Sequence, residues 1–301
     1  MKKIVALLLV VIIALSLCAC GAATSPTATP TAETTAEPTA ETTAETTAVP
    51  TVEVTAAPAA DIAGVKTVTP GCLTIGTSAD FAPYEFHVMK DGQDTIVGFD
   101  ISLAQAIADY LGLKLVIKDM DFNSLLLELQ NGTIDMAIAG FSVDPDRAKV
   151  VDFTDVYYTG GQSFVIQTKD ADLYKSFADF KGLPVAAQTG SIQADLLTKD
   201  CPDSNQVLEA SMNNIILELA SGKIKGAFVE TVVAQNYIKN YPTLQIAWDV
   251  PYDSDGSAAC VAKGNTALKD AANAVISQVT ANGDMGQWVV DATNLSSQVM
   301  S

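Results

Sequence analysis

The chain has one histidine, His87, and one arginine, Arg147, in 301 residues. A single histidine excludes a metal site built on a histidine cluster, and a Ser-His-Asp triad would have to recruit that one residue. Basic residues are scarce: 17 Lys+Arg stand against 35 Asp+Glu, a formal net charge of −18. This balance argues against a nucleic-acid partner, whose affinity comes largely from basic contacts to phosphate. The single arginine leaves one candidate for a planar, two-pronged grip on a carboxylate. The five cysteines show no metal-ligand spacing, so neither a metal nor a cofactor is expected. What is plentiful is apolar surface, at 49% of residues, enough for one or two domains with real cores.

The N-terminus reads as an address. Lys2-Lys3 precede an apolar run from Ile4 to Leu17, the length of a signal-peptide core and short for a membrane span. It ends in Leu17-Cys18-Ala19-Cys20-Gly21, which resembles a bacterial lipobox. Residues 1–19 are then a lipoprotein signal peptide, and Cys20 becomes the lipidated, palmitate-bearing anchor to the membrane. Cys72, Cys201 and Cys260 remain, an odd number that allows one disulfide at most, or buried free thiols.

Residues 20–66 are expected to form a disordered tether. Thr31 to Ala48 repeats Thr, Ala and Glu with scattered Pro, and no aromatic occurs between Gly21 and Val65. Such a segment cannot bury enough apolar area to offset its ordering entropy. As a flexible coil it spans on the order of 35–40 Å.

Beyond the tether, strand and helix patterns alternate, the signature of an α/β protein. Leu73–Thr77 reads as a buried strand. Gly98-Phe99-Asp100 opens a helix with Asp100 expected at the N-cap, and Gly112 closes it in the C-cap position. Lys114–Lys118 and Ile134–Ala139 read as strands, with a helix at Ser124–Gln130 between them. Asp144-Pro145 predicts a cap with Pro in the first helical position.

One internal echo points to the architecture. Residues 123–139 (NSLLLELQNGTIDMAIA) and 213–229 (NNIILELASGKIKGAFV) align without gaps, with 7 of 17 positions identical. Each is a helix, a glycine stop and a strand, which argues for two similar α/β lobes. Ligands of open α/β sheets sit at the carboxyl ends of strands. Those ends are Ala139-Gly140-Phe141-Ser142 in one unit and Val229-Glu230-Thr231 in the other. Arg147 follows the first end. Thr189-Gly190-Ser191 opens a helix at Ile192, where free backbone N–H groups suit an anion. Glu230 ends an apolar strand and needs a cationic or donor partner. Together these groups read as a receptor for both ends of an α-amino acid.

Four segments resemble the family 3 solute-binding proteins, the polar-amino-acid receptors of ABC importers. They are GTSADFAPYEF (76–86), VGFDISLAQAIADYLG (97–112), MDFNSLLLELQNGTIDMAIAGFSVDPDRAKVVDFTDVYY (120–158) and QTGS (188–191). The resemblance implies a two-lobed, periplasmic-binding-protein-like (type II) fold with two crossover hinge strands, near Tyr158–Gly161 and Asp255–Ala258. Lobe 1 would be 67–158 plus 258–301, and lobe 2 would be 161–255. It implies that Arg147 takes the ligand carboxylate, with the Ser142 hydroxyl and the backbone at Ser191 and Ile192. The carbonyl of Ala139 or Gly140, and an acid that is commonly Asp but here Glu230, would take the ammonium. Phe81 and Phe122 would sandwich the ligand side chain. Ser78 stands where several relatives carry Asp, with Glu85 and Gln193 as replacements for it.

The function so implied is an extracytoplasmic, lipid-anchored and monomeric receptor without catalytic activity. It would capture a free amino acid and deliver it to ABC permease subunits. Some relatives on the same scaffold are cyclohexadienyl dehydratases, which is the alternative. No second Arg exists, and no Lys lies between Gly71 and Met89, so a polar or cationic L-amino acid is expected ahead of an acidic one.

Overall fold

The structure is a computed structural model that describes residues 64–299. The signal segment, Cys20 and the tether up to residue 63 lie outside the described residues.

The described chain forms two five-stranded sheets and a smaller three-stranded one. The first lobe runs through β1 (Cys72–Thr77), β2 (Asp80–Phe81), β3 (Glu85–Lys90), β4 (Gln93–Val97), α1 (Phe99–Tyr110) and β5 (Lys114–Asp119). It continues through α2 (Leu125–Gln130), β6 (Met136–Ala137) and β7 (Val151–Tyr158). Residues 159–161 then cross to the second lobe: β8 (Gln162–Gln167), β9 (Pro184–Gln188), α3 (Ile192–Asp200), β10 (Asn205–Glu209) and α4 (Met212–Ser221). This lobe ends with β11 (Gly226–Glu230), α5 (Thr231–Asn240) and β12 (Leu244–Val250). Residues 251–256 return the chain to β13 (Ser257–Ala262), α6 (Thr266–Ala281) and α7 (Asp284–Val299).

The strand orders are β5-β1-β6-β13-β7 and β10-β9-β11-β8-β12. In each sheet the first three strands pair in parallel, and the fourth is antiparallel to the third. The fourth strand is the one that has just crossed from the other lobe. The sequence echo falls on matching pieces: α2 with β6, and α4 with β11, the central strand of each sheet.

Local chemistry explains the elements that shape the site. The apolar face of α1 (Leu103, Ala104, Ile107, Ala108) is fully buried. Its N-cap is Gly98, not Asp100 as the sequence suggested. A Cβ on Gly98, at φ 134°, would lie 2.0 Å from the Tyr84 carbonyl oxygen, so glycine alone fits there. The helix therefore begins at Phe99, and the Asp100 side chain turns inward. It accepts hydrogen bonds from the Gly140 amide (2.9 Å) and the Tyr157 hydroxyl (2.9 Å). The helix C-cap is Leu111, with Gly112 one residue beyond it at φ 64°. Asp144 does cap a turn through the amides of Asp146 and Arg147. That turn is a short 3₁₀ segment, Arg147–Lys149, because the chain enters β7 directly afterwards.

The closing helix α7 packs on α1 and α6 and also reaches α5 of the second lobe. There the Ser296 hydroxyl donates to Asn236 Oδ1 at 2.9 Å. Cys72, Cys201 and Cys260 are free thiols. Among the described residues no helix is long and apolar enough to cross a membrane.

Candidate functional site

The carboxyl ends of β1, β6 and β9 converge on a cavity between the lobes, with about 330 Å³ of empty space, part of it open to solvent. Nine of the ten ligand-binding residues expected from the sequence line it: Ser78, Phe81, Phe122, Ala139, Gly140, Ser142, Arg147, Ser191 and Ile192. Glu85, Gln188 and Gln193 complete the wall. Glu230 does not line the cavity.

Arg147 enters from the 3₁₀ turn that Asp144 holds. Its guanidinium donates to the Ser142 carbonyl at 3.3 Å and, across the cleft, to the Gly190 carbonyl at 3.0 Å. It lies 5.7 Å from the Phe122 ring centre and 5.5 Å from that of Phe141, and those rings stack on each other. Burial holds its pKa below the usual value. Among the described residues no carboxylate forms an ion pair with it. A partly desolvated guanidinium without an acid partner is a receptor for an anion.

The helix start opposite it is α3. Ser191 caps this helix: its hydroxyl accepts from the Ala194 amide at 3.3 Å and donates to the Gln188 carbonyl at 2.7 Å. The Ser191 amide is committed to that same carbonyl. The amides of Ile192 and Gln193 begin the helix with no intrahelical acceptor, a position that suits an anion.

A second charge feature balances the first. Glu85 is fully buried, and neither of its carboxyl oxygens has a well-formed hydrogen bond. Burial first, and then the neighbouring Asp100, push its pKa well above the carboxylate range. Asp100 is itself raised to about 6 by burial, although the Gly140 amide and Tyr157 hydroxyl oppose the shift. Glu85 and Asp100 thus form an acid pair that keeps a proton in the absence of a cation. Phe81, 8% exposed, and Phe122, 9% exposed, supply the apolar walls. Gln193 is tied to Gln162 at 2.8 Å, and the Gln188 amide nitrogen to the Ala210 carbonyl at 3.0 Å.

Glu230 sits at the end of β11 with its Oε2 accepting from the Val233 amide at 3.0 Å, and so caps α5. Burial raises its pKa to about 7, against the hydrogen bonds of Val233 and its neighbours. His87 stands outside the cavity, at the surface between Asp94 and Asp119. Gln188 was not singled out in the sequence. Its signal was a polar residue ending an otherwise apolar strand, PVAAQ.

Comparison with known proteins agrees with this construction. The chain is 35% identical over 217 residues to the arginine-binding extracellular protein ArtP of Bacillus subtilis (strain 168). That alignment covers 71% of this chain and 82% of ArtP. Among solved structures it resembles the amino acid ABC transporter substrate-binding protein AbpA from Streptococcus pneumoniae, bound to L-arginine. The TM-score is 0.73 at 33% identity, covering 75% of this chain and 96% of that one. An ancestral arginine-binding protein bound to glutamine matches with a TM-score of 0.67, at 33% identity, over 73% and 96% of the two chains. Residues 73–289 match the sequence profile of the bacterial extracellular solute-binding proteins, family 3, and the chain belongs to that family.

Proposed function

We propose that this protein is an extracytoplasmic receptor that holds an L-amino acid with a cationic side chain between its lobes and presents it to an ABC importer. The observation that carries this reading is one cavity lined both by a guanidinium with no acid partner among the described residues and by a fully buried carboxyl group whose neighbour is a second acid, Asp100. Arg147, with the amides at the start of α3, takes the α-carboxylate. The carbonyls near Ala139 and Gly140 take the α-ammonium. Glu230, buried at the end of β11, is the acid of the second lobe assigned to the ammonium. Phe81 and Phe122 clamp the side chain, and Glu85 receives its positive end. Ser78, Gln188 and Gln193 offer further polar contacts that an amide side chain can also use. The similarity to ArtP, an arginine-binding protein, and to AbpA, solved with L-arginine bound, supports the same class.

Lipid attachment at Cys20, a monomeric state and the absence of catalysis belong to this proposal. So do the hinges near Tyr158–Gly161 and Asp255–Ala258, and the lobe limits 67–158 with 258–301 and 161–255. No observation favours the dehydratase alternative. A calorimetric screen of the full chain against arginine, lysine, histidine, glutamine, glutamate and aspartate tests the reading. Arginine is expected to bind most tightly. Glutamate or aspartate binding tenfold more tightly than every basic or amide amino acid would contradict it.

A further inference from the structure

We propose that Asp80 is a latch between the lobes: a carboxylate of the first lobe that caps helix α4 of the second and thereby stabilises the closed arrangement. Asp80 lies on β2 and does not line the ligand cavity. Its Oδ2 accepts from the amide of Met212 at 2.7 Å. Met212 is the first residue of α4, and the N-cap residue Ser211 makes no capping bond of its own. A ten-residue helix thus has its leading N–H satisfied by the opposite lobe. The partial positive charge at that helix end favours a carboxylate over a neutral acceptor.

Other second-lobe elements reach the same residue. The Gln188 amide nitrogen at the end of β9 lies 3.5 Å from Oδ1. The Tyr237 hydroxyl on α5 is shared between the Asp80 carbonyl, at 3.1 Å, and Asn213 Oδ1, at 2.6 Å. β9, α4 and α5 therefore converge on one side chain and one carbonyl of the first lobe. Opening about the crossovers breaks these bonds together and leaves the Met212 amide without an acceptor in the chain. The latch biases the open–closed equilibrium, and apparent ligand affinity scales with the closed fraction.

The test has two arms, and only the second rests on the amino-acid reading. In the first, hydrogen exchange of single amides is followed by NMR on the full chain with no amino acid present. The Met212 amide is expected to exchange about tenfold or more faster in Asp80→Ala than in the wild type, the scale of one charged hydrogen bond. The Ile216 and Leu219 amides within α4 stay unchanged. Asp80→Asn, which keeps a carbonyl acceptor, falls between. Equal Met212 exchange in wild type and Asp80→Ala overturns the latch, as does loss of protection along all of α4. In the second arm, L-arginine is expected to dissociate about tenfold faster from Asp80→Ala. An unchanged rate overturns the role in closure. A wild type that fails to bind L-arginine while Asp80 protects Met212 leaves the latch standing and removes the amino-acid assignment.

Discussion

Arg147 and Glu85 are the two ionisable residues that line the cavity, and each is costly to bury alone. Arg147 was legible in the sequence because it is the only arginine and follows a strand end. The sequence offers Glu85 as a substitute for the missing acid at Ser78 and, with Asp80, as negative charge that favours a cation if the two face the cleft. The weight of Glu85 comes from complete burial and from the facing Asp100, which spacing along the chain does not reveal. Glu230 was expected at the ligand, yet its side chain caps α5. A carboxylate that directly precedes a helix finds the local amides first. The acid pair has a measurable consequence. A cationic side chain requires the ionised carboxylate, so protons leave as the ligand binds. L-arginine affinity is expected to rise with pH through and above about 6, the Asp100 value, as the Glu85–Asp100 pair gives up its proton. Glu85→Gln should lower L-arginine affinity on the order of 30-fold and flatten that pH dependence, while L-glutamine affinity changes by less than about threefold. Calorimetry across the pH range, with both ligands, reads both effects. Equal losses for the two ligands would place Glu85 in the scaffold.

At the scale of elements, the helix and strand assignments held where periodicity was strong and slipped at the caps. The expected strand Ile134–Ala139 shortens to Met136–Ala137, because Asp135 turns its carboxylate to the amides of Val68 and Thr74. The Asp100 cap failed for a reason invisible in one dimension: Gly98 approaches the Tyr84 carbonyl too closely for any side chain. That contact makes a prediction. Gly98→Ala should destabilise the protein by roughly 3 kcal/mol or more, from the clash and the strained φ together. It should also weaken ligand binding, because α1 carries Asp100 and Asp100 holds Gly140. Chemical denaturation is the check. A loss below about 1 kcal/mol would show that the Tyr84–Gly98 turn relaxes without cost.

For the whole molecule, the two lobes could be read from the echo between residues 123–139 and 213–229, strengthened by the resemblance. The reach of α7 to α5 could not, because amphipathic spacing does not say which lobe a terminal helix meets. Charge sets the stability profile. Asp100 and Glu230 have native pKa values raised to about 6 and about 7, above their ordinary 3.8 and 4.5. Between those limits the native state binds more protons than the unfolded chain. Stability of the unliganded protein therefore falls as pH rises from about 4.5 to about 7, with Glu230 contributing on the order of 3 kcal/mol at most, and Glu85, raised well above the carboxylate range by burial, extends the fall in the same direction. Below about pH 4 the slope reverses, because Asp152, held down by Lys263, becomes protonated. Thermal melts at fixed ionic strength test this, and a melting temperature that climbs from pH 5 to pH 7.5 would refute it.

The central claim is that Arg147 holds the α-carboxylate of an amino acid whose cationic end lies at Glu85. Agmatine keeps the guanidinium of L-arginine and lacks the carboxylate, so the pair isolates that contact. Calorimetric titration of both into the wild type and Arg147→Ala is the most direct measurement. The wild type is expected to bind L-arginine at least about 30-fold more tightly than agmatine, and Arg147→Ala to lose that preference while remaining folded. Equal affinity of the wild type for the two compounds, or a preference for L-arginine that survives in Arg147→Ala, would contradict the account.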